Sequence, residues 1–121
     1  MSSKPVTPSP ALPRAGQPVR GSTSGQPIMV LFDMLGRRWA MGILWNLAET
    51  NRTFRDLQAR CGSASPTVLN ARLKELRAAG LVEKATDGYA LTPDGRALFA
   101  VLEPLGDWAM EWVPRMGPPE G

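Results

Sequence analysis

The sequence predicts a mainly α fold with one small β-hairpin. Three observations carry that reading. Beyond residue 26, apolar residues recur at spacings of three and four; serine, threonine and proline stand where those runs begin and glycine where they end; and one Asp-Gly pair separates two short strand-like runs. The 121 residues, 43% hydrophobic and 21% charged, suffice for one domain with a modest core.

Residues 1–26 stand apart. They are rich in proline, serine, threonine and glycine, carry Lys4, Arg14 and Arg20 without an acid, and show no apolar period. Such a segment cannot bury enough surface to offset its ordering entropy. A disordered tail is expected there, an ordered domain over 27–116, and a flexible end over 117–121.

The first helix follows Pro27. IMVLFDML (28–35) is apolar except at Asp33, and the second helical run, WAMGILWNLA (39–48), is apolar except at Gly42 and Asn46. A helix apolar all round must be buried all round. A domain this small can surround one such helix but not two, so a partner chain is implied. Arg37 and Arg38 fall where the second helix begins. Thr53 then precedes FRDLQARCG with Asp56 at the third helical position, a capping box with aspartate substituted, and Gly62 closes this third helix. Ser65 caps the fourth helix, Pro66 occupies its first turn, and Gly80 stops it after Ala79. Two helices across so short a turn form a helix-turn-helix.

LVEKAT (81–86) and YALT (89–92) read as antiparallel strands about an Asp87-Gly88 turn. Thr92-Pro93 opens the last helix, in which Leu98, Val101, Leu102, Leu105, Trp108, Ala109 and Trp112 recur at threes and fours. Pro104, lacking an amide hydrogen, is expected to kink or split it. Four helices, a hairpin and a closing helix are the order of a winged helix-turn-helix.

Composition narrows the function. One cysteine and no histidine leave no internal disulfide, no zinc site and no common general base. Neither an enzyme nor a metal- or cofactor-bearing protein is expected. No apolar run is long enough to span a bilayer, and the N-terminus lacks a signal-peptide core, which points to the cytoplasm. The net charge of +3 is regional: residues 37–84 carry nine bases against four acids, and residues 85–121 carry two bases against six acids. A basic middle suits a polyanion.

Rotation along the fourth helix identifies the polyanion face. At about 100° per residue, Leu69, Leu73 and Leu76 share an arc of about 40°, the core side. The opposite side collects Thr67, Asn70, Ala71, Lys74 and Ala78, with Arg77 at its edge and Glu75 toward the flank, within reach of Arg72 or Lys74. A short threonine, a bidentate asparagine, an alanine that fits a thymine methyl and a lysine suit the major groove of double-stranded DNA. Ser65 and Pro66 at the helix start, with its free backbone amides, suit a phosphate, and Arg52, Arg55 and Arg60 would add contacts to the DNA backbone. Arg38 and Lys84 complete the candidate DNA-binding set.

The stretch from FDMLGRRW through SPTVLNARLKEL to YALTPDGRAL, ending near GDWA, resembles HxlR-type transcriptional regulators, winged-helix relatives of the MarR repressors. The matching blocks are Gly36 to Trp39, Phe54 to Leu57, Ser65 to Leu76, Gly80 to Glu83, and Leu91 to Gly95, across roughly residues 27–112. The resemblance implies a homodimer held through the first and last helices, here Ile28, Met29, Phe32, Leu105, Trp108 and Trp112. It also implies a palindromic operator read by two recognition helices. Members commonly carry a Cys-Pro pair at the start of the first helix, through which several sense thiol-reactive compounds; Gln26-Pro27 stands there in this chain. Cys61, beside Arg60, is the remaining redox candidate, although a quiet, partly buried thiol is the favoured reading. The tryptophans and methionines are candidates either for plain core or for a small-molecule effector pocket between subunits. The short, acidic wing tip keeps a second class open, a winged-helix interaction module with weak or no DNA binding.

Overall fold

The computed structural model describes residues 26–118, so the tail expected over 1–26 lies outside them but for Gln26, as does the end expected over 117–121 but for Gly117 and Pro118. Its elements are α1 (Pro27–Leu35), α2 (Ala40–Glu49), α3 (Phe54–Arg60), α4 (Pro66–Ala78), β1 (Val82–Ala85), β2 (Gly88–Leu91) and α5 (Pro93–Trp112), followed by a 3-10 turn over Val113–Met116. This is the mainly α, winged arrangement that the sequence predicts.

The caps follow from local chemistry. The side chains of Thr53, Ser65 and Thr92 accept hydrogen bonds from the amides of Asp56, Val68 and Gly95, satisfying donors that each helix start leaves orphaned. At the far end of α4, the Gly80 amide donates to the Arg77 carbonyl and the Leu81 amide to the Leu76 carbonyl. That pattern requires a left-handed residue, and Gly80 supplies it at φ +78°.

The core is built around α2, which packs against α1, α3, α4, α5 and β2. Ile43, Leu44 and Leu47 of α2, Leu57 of α3, and Leu69, Leu73 and Leu76 of α4 are each 1% exposed or less. Apolar burial of this kind is the dominant favourable term in folding.

One sequence expectation is corrected here and two are sharpened. The hairpin pairs Val82 with Leu91 and Ala85 with Gly88, so the chain reverses at Thr86-Asp87, one residue before the expected Asp87-Gly88 turn. Gly88 is needed inside β2 instead, because a Cβ there would lie 2.3 Å from the Arg52 carbonyl oxygen. Arg52 pairs its backbone with Tyr89 in both directions, an isolated antiparallel bridge on the outer side of β2. Pro104 does not split the last helix: α5 is continuous through it. Pro104 and Ala100, whose carbonyl loses its partner, both face solvent, where water can take that hydrogen bond. Finally, α1 within one chain is not buried all round, since Asp33 is 5% exposed whereas Phe32 is 56% exposed.

The Leu-Thr-Pro-Asp-Gly run also acquires a reason. Thr92 caps α5 and its hydroxyl donates to the Gly80 carbonyl, while Gly95 lets the first turn of α5 approach the Leu81 carbonyl, from which a Cβ would lie only 2.1 Å away. Wing, α4 and α5 therefore meet at one junction. Gly95→Ala should cost about 3 kcal/mol through forced backbone displacement. Gly80→Ala, whose Cβ meets nothing within 4 Å, should cost only about 1 kcal/mol for its left-handed backbone. Urea midpoints of the two variants check the difference.

Candidate nucleic-acid interface

The helix-turn-helix is formed by α3 and α4 with residues 61–65 between them. Its turn is fixed by backbone hydrogen bonds from Gly62 to Ala59 and from Ser63 to Gln58, with Gly62 at φ +68° and Ser63 at φ +59°. The Gln58 side chain donates to the Ala64 carbonyl at 2.9 Å and closes the turn from the other side. This rigid corner sets the angle at which α4 leaves α3.

With its leucines buried, α4 presents Ser65, Pro66, Thr67, Asn70, Lys74 and Arg77 to solvent, and Ala71 is half-buried. Arg38 and Lys84 are exposed at the two flanks, and Arg55 and Arg60 on α3. The Arg38 guanidinium lies 4.9 Å over the Trp39 ring, and the Lys84 ammonium 5.6 Å from the Tyr89 ring, so both cations rest on aromatic faces. A cleft of about 330 Å³ opens beside the start of α4, lined by Arg38, Trp39, Gly62, Ser63, Ala64, Ser65 and Val68. Among the described residues this surface brings together most of the predicted DNA-contacting set.

Arg52 does not belong to it. At 8% exposure it is buried: Nε donates to the Asn46 carbonyl, Nη1 to Asp56 at 2.9 Å and Nη2 to Glu49. Sequence position alone made it a backbone-contact candidate; the fold uses its fork to join α2 to α3 and its main chain to pair with Tyr89 of the wing. Glu75, placed at the flank by rotation, is only 2% exposed and pairs with Arg72 and Arg37. The outward side of α4 is therefore free of acid for a stronger reason than the sequence supplied. Arg37, at the entry to α2, has its side chain 11% exposed and turned inward to Asp33 and Glu75.

Cys61 is also corrected as a redox candidate. It is 3% exposed, and burial pushes its thiol up from the ordinary range, away from the reactive thiolate a redox role needs. The Arg60 guanidinium is directed to Asp56, 3.4 Å away. The tryptophans do not gather into one pocket within the chain: Trp45 packs edge-on against Phe99, Trp108 stacks on Trp112, and Trp39 lies under Arg38. Ile28, Phe32, Leu105, Trp108 and Trp112 are 41–56% exposed, and Met29 is half-buried. No helix among the described residues is long and apolar enough to cross a membrane.

Comparison with known proteins agrees with this geometry. A model of HxlR-like helix-turn-helix proteins matches residues 34–116. The chain is 33% identical over 88 residues to the HTH-type transcriptional regulator YvaP of Bacillus subtilis, covering 67% of this chain and 82% of YvaP. Quinone-bound YodB from B. subtilis superposes with a TM-score of 0.64 at 32% identity, covering 70% of this chain and 97% of YodB. A MarR-family regulator from Enterococcus faecalis V583 shares the fold, with a TM-score of 0.65 at 23% identity over 74% of this chain and 88% of that one.

The Arg52 hydrogen bond, more than the nearby Arg60 charge, holds the Asp56 carboxyl below its ordinary range, against a smaller opposing effect of burial. A carboxyl whose pKa is depressed by folding stabilises above its unfolded pKa and loses that contribution as pH falls through the folded value. Asp56→Asn should therefore be less stable than the parent at neutral pH, and the gap should close on acidification below about pH 4. Thermal melts across pH check the convergence.

Proposed function

The chain belongs to the HxlR-like helix-turn-helix family and is a transcriptional regulator with a helix-turn-helix DNA-binding fold, and on that premise we propose that residues 27–116 act as a homodimer reading a palindromic operator through α4. The observation that carries the reading is the outer face of α4. It is exposed, acid-free and polar, with Thr67, Asn70 and Lys74 at one-turn spacing, on a helix whose opposite side is locked into the core.

In this reading Asn70 makes a bidentate contact to an adenine edge, Thr67 and Ala71 meet thymine methyls, and Lys74 and Arg77 hold phosphates. Ser65, Pro66 and Arg38 border the backbone at the start of the helix, and Arg55 and Lys84 widen the contact. The exposed apolar side chains of α1 and α5, Ile28, Phe32, Leu105, Trp108 and Trp112 with half-buried Met29, support a two-fold contact with a second copy. Such a dimer would place half-sites about 34–36 Å apart.

YodB is seen with quinone bound. A thiol-based signal is not part of the proposal here, because Cys61 is buried with its pKa raised. A second reading, a protein-binding module, is favoured by the wing: its two-residue tip holds Asp87, which accepts a hydrogen bond from Asn51 at 2.9 Å, and offers a groove no cation. Failure of the chain to bind any duplex at low salt would select it.

Duplex affinity should fall steeply between about 50 and 200 mM salt, with a slope near −0.9 per phosphate neutralised. Asn70→Ala should relax base preference at one position by about 1–3 kcal/mol, whereas Lys74→Ala should weaken all duplexes alike and lower the slope by about one. Trp108→Glu should convert a dimer to a monomer in sedimentation and weaken operator binding at least about tenfold, since both half-sites must be engaged together.

A further inference from the structure

Glu75 is carried by α4 but faces away from the groove-reading side, and it is 2% exposed. Its carboxylate is held from two directions. Arg72 Nη1 donates to Oε1 at 2.9 Å from one turn earlier on the same helix, and Arg37 Nη1 stands 3.3 Å from Oε2. Arg37 comes from the turn between α1 and α2, and its Nη2 also reaches Asp33 of α1 at 3.3 Å. Asp33, Arg37, Glu75 and Arg72 thus alternate in charge from α1 to α4. The row ends on backbone: Arg72 Nε donates to the Arg38 carbonyl at 2.9 Å, immediately before Trp39, which is strained at φ +73°.

Two physical facts assign this row a purpose other than stability. Apolar burial is non-directional, so the leucine stripe of α4 resists separation from α2 better than it resists rotation. Hydrogen-bonded guanidinium forks are directional: the Arg72 fork ties Glu75 of α4 to the Arg38 carbonyl, the Arg37 hydrogen bond to Asp33 aims its other arm, and Arg37 Nη1 faces Glu75 Oε2 as an ion pair rather than a hydrogen bond. A rotation of α4 by about 20° would move groove-facing atoms by about 2 Å at the helix surface, enough to break a bidentate base contact. Buried ion pairs, by contrast, are often replaceable by apolar side chains without loss of stability.

We infer that Arg37 and Glu75 are positioning residues for operator reading: without touching DNA, they set the rotation of α4 relative to α1. The inference rests on the reading that α4 enters the groove. Since α1 carries part of the proposed dimer contact, the same row makes the pose of α4 answer to the pose of the dimer.

The test uses the full chain and the duplex that the parent selects from a random pool. In the triple variant Asp33→Leu, Arg37→Met, Glu75→Leu, the melting temperature and dimer should stay near the parent's. Binding to random duplex and its salt slope should be unchanged, because no phosphate contact is lost. Affinity for the selected duplex should fall about tenfold or more. Arg37→Lys, which keeps the charge but not the fork, should fall between parent and triple variant. A folded triple variant within about twofold of the parent on the selected duplex overturns the inference. So does a slope reduced by about one in the triple variant, since Arg37 would then be a phosphate contact. If the triple variant does not fold, Glu75→Gln decides: the selected-to-random ratio falls if the inference holds and is unchanged if it does not. A parent that selects no sequence would overturn the α4 reading itself, and this inference with it.

Discussion

Everything in the structure depends on the burial of Leu69, Leu73 and Leu76 of α4 against the apolar side of α2 and Leu57 of α3. Once those three side chains are excluded from water, they settle which side of α4 faces inward, though not its exact rotation, and the residues left outside are Thr67, Asn70, Lys74 and Arg77. The caps reinforce the same choice. Ser65 and Pro66 start the helix, and Gly80 ends it by turning the chain into the wing. A core constraint thereby becomes a surface specification, which is how a small domain places a reading face without dedicating a scaffold to it.

Charge is sorted by the same fold into two populations. Arg37, Arg52 and Arg72 are drawn inside or against the core, where their forks join elements that apolar packing alone would leave less defined. They pair there with buried Asp33 and Glu75, and Arg52 also holds Glu49 and Asp56, which stay at the surface. Arg38, Arg55, Lys74, Arg77 and Lys84 remain outside. The surface charge of the basic segment is thus set by pairing as well as by count: Glu75 is withdrawn from the outer side of α4, and Glu49 and Asp56 are engaged by arginines. Whole-segment charge counts could not reveal this, since they do not distinguish an arginine that meets water from one that meets a carboxylate.

The helices, their caps and the inward side of α4 were legible because each rests on local pattern: a threonine or serine before a helix, glycine after it, leucines at three and four. The hairpin was legible to within one residue. Its register was not, because Gly88 serves the backbone of Arg52, more than thirty positions away, which no local rule anticipates. The same distance in sequence hid the burial of Glu75, whose partner Arg37 lies in another turn. Arg52 looked like a surface cation for the same reason. Its role is set by where α2, α3 and the wing converge. The candidate interface was therefore readable where it follows helical rotation and unreadable where long-range ion pairs remove residues from it.

The central claim is that the outer side of α4 lies in the groove of duplex DNA, twice over in a symmetric dimer. A DNA-cleaving reagent tethered through Asn70→Cys, with Cys61 buried and slow to label, tests it most directly when cuts are mapped on DNA that the protein protects from nuclease. The account predicts two clusters of cuts, symmetric about one centre and about 10 base pairs apart. A protected site with no cuts from position 70, or with cuts on one side only, would contradict it.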